Sequence, residues 1–205
     1  MMKNLFLTSY LAGVKHQLAN FIQKHQISQV LFIETAGNVE EYTDYIDEGR
    51  ELFQSLGVVV EDCDIAKLGA VAIRSRLDQA QAVYFSGGNS FYLLQELQKK
   101  VLLKSLKERV ENGLPYLAES AGAIIASPNI VYSQLMDERE KAPHLANDFG
   151  LKLVDFYIVP HVGEFPFEES AQAILDQYQE NLAILPLNNA QAVVVEGNRY
   201  QIVEE

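Results

Sequence analysis

"GLPYLAESAGAIIASP", residues 113–128, decides the fold. An apolar run climbs to Glu119 and Ser120, breaks into Ala-Gly-Ala, and resumes as small apolar residues. A short unbroken apolar run reads as a strand covered on both faces, and the segment after it reads as a helix. The pattern predicts a strand over 115–119 and a short helix over 121–127. The hydroxyl at the junction has two readings. Ser120 is either a nucleophile on a tight strand-to-helix turn or a polar cap on the helix.

The same alternation extends both ways. Strands are predicted over 4–9, 29–35, 58–65 and 82–86, and helices over 12–26, 39–56 and 69–80. The "SGGNS" turn follows the fourth strand, with Ser90 expected to cap a helix over 91–100 and a second helix over about 101–112. Downstream come the apolar run 151–161, a helix over about 167–179 and the run 182–187. Two final runs, split by Glu196-Gly197-Asn198, read as a hairpin. Strands alternating with helices imply right-handed crossovers. The expected fold is α/β: a three-layer sandwich with a mainly parallel central sheet and a C-terminal β-hairpin. Runs such as "VLFI" and "LAIL" fit strands covered on both faces. One domain over 1–205 is expected, because no repeat or linker interrupts the pattern.

Composition narrows the function. The chain has 205 residues, enough to bury roughly 70% of its unfolded surface. With 16 basic and 28 acidic residues the net charge is −12, which opposes nucleic-acid and anionic-membrane partners. A single cysteine, Cys63, forms no internal disulfide and fits a cytoplasmic setting. Asn4, Thr8 and Ser9 interrupt the first apolar run, which is expected to be a buried strand rather than a secretion signal. No run approaches the roughly 18 residues of a membrane span. No metal-ligand spacing is present and no cofactor is expected.

In parallel α/β sheets the ligand site lies beyond the carboxyl ends of the strands. That edge would gather Gly87-Gly88-Asn89, Ser120 and His161, each of which follows a predicted strand. A serine hydroxyl needs a base within hydrogen-bond reach and donors for the oxyanion formed on attack. "AESAG" is a small-x-Ser-x-Gly string with alanine in the first small position. Ala121 N–H would be one oxyanion donor. Gly88, where the chain can approach a ligand closely, would supply another. His161 is the candidate base, since it alone of four histidines ends a strand. His16, His25 and His144 are expected at the surface. Asn89 is expected to position substrate. The Gly-Gly-Asn turn lacks the lysine and glycine spacing of a phosphate cradle.

"FSGGNSFYLL" (85–94), "SAGAIIASP" (120–128), "VPH" (159–161) and "LPLNNAQAVVVEG" (185–197) together resemble the dipeptidase E, or α-aspartyl dipeptidase, family of serine peptidases, which share the class I glutamine amidotransferase-like fold. The similarity runs over most of the chain. It implies Ser120 as nucleophile, His161 as general base, Gly88 and Ala121 as oxyanion donors, and hydrolysis of short peptides without a metal or organic cofactor. Counted without gaps, the family's triad acid would fall on Leu135. Asp137 is the expected acid, with Glu138 and Glu164 as alternatives. The segment after His161 lacks the arginine expected to hold an aspartyl substrate, and Arg139, Lys141 and Arg199 are the basic residues left to replace it. Rival readings are an esterase or amidase of small non-peptide substrates and a non-catalytic binder on the same fold. The chain is expected to act as a monomer or homodimer.

Overall fold

Leu5, Phe6 and Leu7 are fully buried, so the strand that carries them lies inside the molecule with helices over both faces. This computed structural model describes residues 2–205. The strands are β1 (Asn4–Thr8), β2 (Gln29–Ile33), β3 (Val59–Asp62), β4 (Val83–Phe85), β5 (Tyr116–Glu119), β6 (Tyr157–Val159), β7 (Ile184–Pro186), β8 (Gln191–Glu196) and β9 (Arg199–Glu204). The helices are α1 (Lys15–His25), α2 (Asp44–Ser55), α3 (Ala70–Gln79), α4 (Ser90–Lys99), α5 (Leu103–Glu111), α6 (Ala121–Ile124) and α7 (Glu168–Tyr178).

Seven strands form the central sheet in the order β3-β2-β4-β5-β1-β8-β9. The first five are mutually parallel, and β8 and β9 add an antiparallel flank. One core packs α1 and α2 on one face through Leu18, Phe21, Ile46 and Phe53. The other packs α3 to α6 on the opposite face through Ile73, Phe91, Leu106 and Ile124. These are the three expected layers. The predicted hairpin is β8–β9, turning at Gly197 with φ +62°.

Two segments depart from the sequence reading. "LAIL" is not a strand covered on both faces: β7 pairs only with β6 in a separate two-stranded parallel sheet and is partly exposed. The run 151–161 is strand only from Tyr157. Before that, the Leu151 and Leu153 amides donate to the carbonyls of Ile125 and Ala126 just beyond α6. Their side chains are buried against that segment, so apolar patterning there records burial of a loop.

Candidate functional site

The carboxyl ends of β4, β5 and β1 lie side by side, because these strands are parallel and adjacent. Ser9 follows β1, Gly87 and Gly88 follow β4, and Ser120 follows β5. Ser120 has φ 44° and ψ −107°, a sparsely populated backbone for a residue with a Cβ. Its N–H is held by the carbonyl of Thr8 at 3.0 Å, and its own carbonyl accepts from Ile124 at 2.8 Å. The strained turn lifts the hydroxyl off the sheet edge, the geometry of a nucleophile elbow. The Ser120 side chain caps nothing in α6.

His161 reaches the same point from the small sheet. It follows β6 at φ 61° and is 9% exposed. Ser120 Oγ–H donates to His161 Nε2 at 3.0 Å. The other ring nitrogen, Nδ1, lies 2.8 Å from Asn189 Oδ1 and 3.1 Å from Ser9 Oγ. With Nε2 accepting from serine, Nδ1–H donates to the Asn189 amide oxygen, which fixes the tautomer. Ser9 Oγ–H also donates to Asn189 Oδ1 at 2.9 Å and accepts the His161 backbone N–H at 2.7 Å. The Phe167 ring stacks on the imidazole with centroids 4.7 Å apart. Burial holds the His161 pKa below its ordinary value, with the Asn189 hydrogen bond opposing, so the ring is neutral and able to accept a proton near pH 7.

Asp137 is not the partner of His161. Its Oδ2 accepts the backbone N–H of Ser90 at 2.9 Å, at the start of α4, and burial pushes its pKa up to about 6. Glu138 is exposed, with its Oε1 3.6 Å from Lys141 Nζ. Glu164 Oε1 accepts the Asn189 N–H at 3.4 Å, one step behind the ring's partner. Sequence reasoning passes over Asn189 because a triad pattern directs attention to an acid. The signal available is positional, since Asn189 also follows a strand, β7.

Asn89 borders the cavity beside Ser120, and its side chain is partly occupied. Oδ1 accepts from Tyr92 N at 2.9 Å as the cap of α4, and Nδ2 donates to the Glu138 carbonyl at 3.0 Å. The cap is therefore Asn89 rather than Ser90, and of its side chain one Nδ2–H has no protein acceptor among the described residues. Gly88 has φ +125°, and a Cβ there would stand 2.4 Å from the Ala36 backbone, so only glycine fits. Among the described residues the Gly88 and Ala121 amides donate to no protein acceptor. Gly13 packs behind Asn189, where an added Cβ would meet the Asn189 carbonyl oxygen at 1.9 Å.

A cavity of about 440 Å³ opens on this constellation. Tyr10, Tyr42, Tyr45 and Phe165 supply apolar wall, and Lys141 is the cation on it. Lys141 is tied to Glu40 at 3.3 Å and to Glu138. Arg139 pairs instead with Asp148 and lies over the Phe91 ring. Arg199 is on β9, away from the cavity. His25 is half-buried against the Phe21 ring, contrary to its expected solvation.

A serine–imidazole pair at the carboxyl edge of a parallel α/β sheet, beside a substrate-sized cavity, is a hydrolase arrangement. The model of peptidase family S51 matches residues 5–203. The chain is 40% identical over 202 residues to the uncharacterized peptidase PM1590 of Pasteurella multocida, covering 98% of this chain and 97% of that one. It is 31% identical over 152 residues to peptidase E of Nostoc sp., covering 74% of this chain and 59% of that one. A crystal structure of a proposed peptidase E protein from Listeria monocytogenes EGD-e superposes with a TM-score of 0.94 at 40% identity, covering all of both chains. The chain belongs to peptidase family S51. It is a peptidase, a hydrolase of the peptidase E and α-aspartyl dipeptidase kind in fold and family.

Proposed function

We propose that the protein is a serine-type hydrolase of short peptides, with Ser120 as nucleophile, His161 as general base and Asn189 as the group that orients the base. The observation that carries this reading is the 3.0 Å contact between Ser120 Oγ and His161 Nε2, two residues that line the cavity. His161 Nε2 takes the hydroxyl proton as Oγ attacks the scissile carbonyl carbon. The oxyanion is received by the unengaged Gly88 and Ala121 amides, each worth about 10²–10³ in rate. The C–N bond breaks as the imidazolium returns its proton to the leaving amine. Water, deprotonated by the same ring, then hydrolyses the acyl-enzyme.

The Asn189 amide is neutral. It holds the ring in the right tautomer but adds little stabilisation to the imidazolium, so the pair works without the full charge that a carboxylate would bring. A cytoplasmic site of action belongs to the same reading. In the structure, Cys63 is buried and unpaired, and no helix among the described residues is long and apolar enough to cross a membrane.

The test is labelling with a neutral fluorophosphonate followed by peptide mass mapping, alongside a panel of dipeptides and acyl esters. Modification at Ser120, lost in Ser120→Ala, together with dipeptide turnover, is expected. Labelling with ester turnover alone would favour the esterase or amidase, and no labelling of folded protein would favour the non-catalytic binder.

A further inference from the structure

Glu119 lies immediately before Ser120 and is only 3% exposed, the one charged residue of β5. Its Oε2 is fully employed, accepting from Leu11 N at 2.8 Å and from the Tyr84 hydroxyl at 3.2 Å. Its Oε1 accepts no hydrogen bond among the described residues, yet it is not sealed off, and Glu119 forms part of the cavity wall. A point at the Cβ direction of Gly87 measures how near this oxygen is to the reaction. That point is 3.1 Å from Glu119 Oε1 and 3.5 Å from Ser120 Cβ. Oε1 and the serine side chain therefore border the same small volume. A buried carboxylate with one oxygen satisfied twice and the other turned into a cavity is costly unless a cation or donor completes it.

The rest of the wall agrees. Among the described residues it carries Glu40, Glu48, Glu119, Asp137 and Glu138, five carboxylates, against Lys141, which two of them already hold. Tyr45 adds a phenol whose buried hydroxyl has no partner, and its ring edge lies 3.4 Å from the same Gly87 point. The chemistry that fits is an ammonium group a few ångströms from the carbonyl under attack.

We propose that Glu119 Oε1 receives the α-ammonium of the residue whose carbonyl Ser120 attacks, which makes Glu119 a specificity-determining residue of this site. The proposal rests on the Ser120 reading for its chemistry but not for its binding. The N-terminal residue donates N⁺–H to Oε1, and its carbonyl carbon is thereby set against Oγ. An acetylated amine has neither the charge nor the extra donors, and leaves Oε1 bare in a low-dielectric site. The groups facing Glu119 are Tyr84 from β4, Tyr10 after β1, and Tyr45 and Glu48 from α2. Burial, with Glu48 adding repulsion, lifts the Glu119 carboxyl to about 7 against the opposing Leu11 and Tyr84 hydrogen bonds.

The experiment compares Ala-Leu with N-acetyl-Ala-Leu in two ways. Rates are read as kcat/KM on the full chain and on Glu119→Gln. Affinities are read by calorimetry on Ser120→Ala, with and without Glu119→Gln. The parent should favour the free amine by 100-fold or more, and Glu119→Gln should cut that ratio below tenfold, chiefly through KM. Calorimetry should show the same order without turnover. The pH profile separates binding from mere structural support: an acid limb near pH 7 should vanish in Glu119→Gln, leaving only the lower His161 limb. Where Glu119→Gln misfolds, Tyr84→Phe serves. It removes a hydrogen bond that favours the carboxylate, so the limb should move to higher pH. Equal handling of free and blocked substrate, absence of binding by either, or a ratio unmoved by Glu119→Gln overturns the proposal. A calorimetric preference without fluorophosphonate labelling of Ser120 sustains the ammonium site while removing the serine mechanism. Labelling without a preference removes the ammonium site alone.

Discussion

Ser120 and His161 meet at 3.0 Å, and both hold a left-handed backbone, yet they are supported in opposite ways. Ser120 is fixed locally. The strand before it is fully buried between two neighbours, and its own amide is bonded to the adjacent strand. His161 is fixed from a distance. It leaves a two-stranded sheet apart from the central one and is held by Ser9 and Asn189, 152 and 28 residues away in sequence. The contrast teaches that one member of a hydrogen-bonded pair can be rooted in one supersecondary unit while the other depends on long-range side-chain bonds. The second member is the part that remote changes reach first.

The largest effect should come from the locally fixed partner. Ser120→Ala is expected to lower kcat/KM on dipeptides by on the order of 10⁴ or more, measured by amine release, with the melting temperature nearly unchanged. Next should come the distant support. Asn189→Ala is expected to cost about 10² in kcat, because Nδ1–H loses the acceptor that sets the tautomer. Asn189→Asp should retain or exceed the parent rate and raise the His161 pKa in an NMR titration, since a carboxylate favours the imidazolium. Ser9→Ala should cost about tenfold, since Asn189 Oδ1 still accepts from the ring. A Ser9→Ala loss as large as that of Asn189→Ala would make the serine, not the amide, the main support of the ring.

A smaller effect concerns stability. Glu119 is protonated in the folded state up to about pH 7, whereas in the unfolded chain it ionises near 4.5. Between those values the native state binds the extra proton, so stability falls as pH rises through that window. Glu119→Gln removes this liability while keeping an acceptor for Leu11 and Tyr84. At pH 8 it should be the more stable protein by on the order of 2–3 kcal/mol, with the gap closing by pH 5, as read from urea midpoints.

What can be read from the sequence follows the same division. Ser120 is visible because strand, small-residue turn and short helix are contiguous, and local pattern carries that information. His161 is visible because proline and a strand precede it. Asn189 is not, although it too follows a strand, because its role is written in a contact across 28 residues rather than in its own surroundings. Asp137 misleads for the reverse reason. It stands between serine and histidine in the chain and borders the cavity, but the first amide of α4 has taken its carboxylate. Asn89 stands at the expected edge, and the structure adds a task that local pattern assigns to Ser90, since the start of α4 takes the Asn89 side-chain oxygen. Glu119 carries a signal of its own, a charge closing an apolar strand, which strand patterning absorbs without trace.

Gly13 lies in the turn before α1, far in sequence from Ser120, His161 and Asn189, yet the space where its side chain would stand is filled by the Asn189 carbonyl. Any larger residue there must push the strut behind the imidazole out of line. A genetic screen for inactive but well-expressed variants should therefore recover position 13 beside Ser120 and His161, a lesion that inspection of β5 and β6 alone would never nominate.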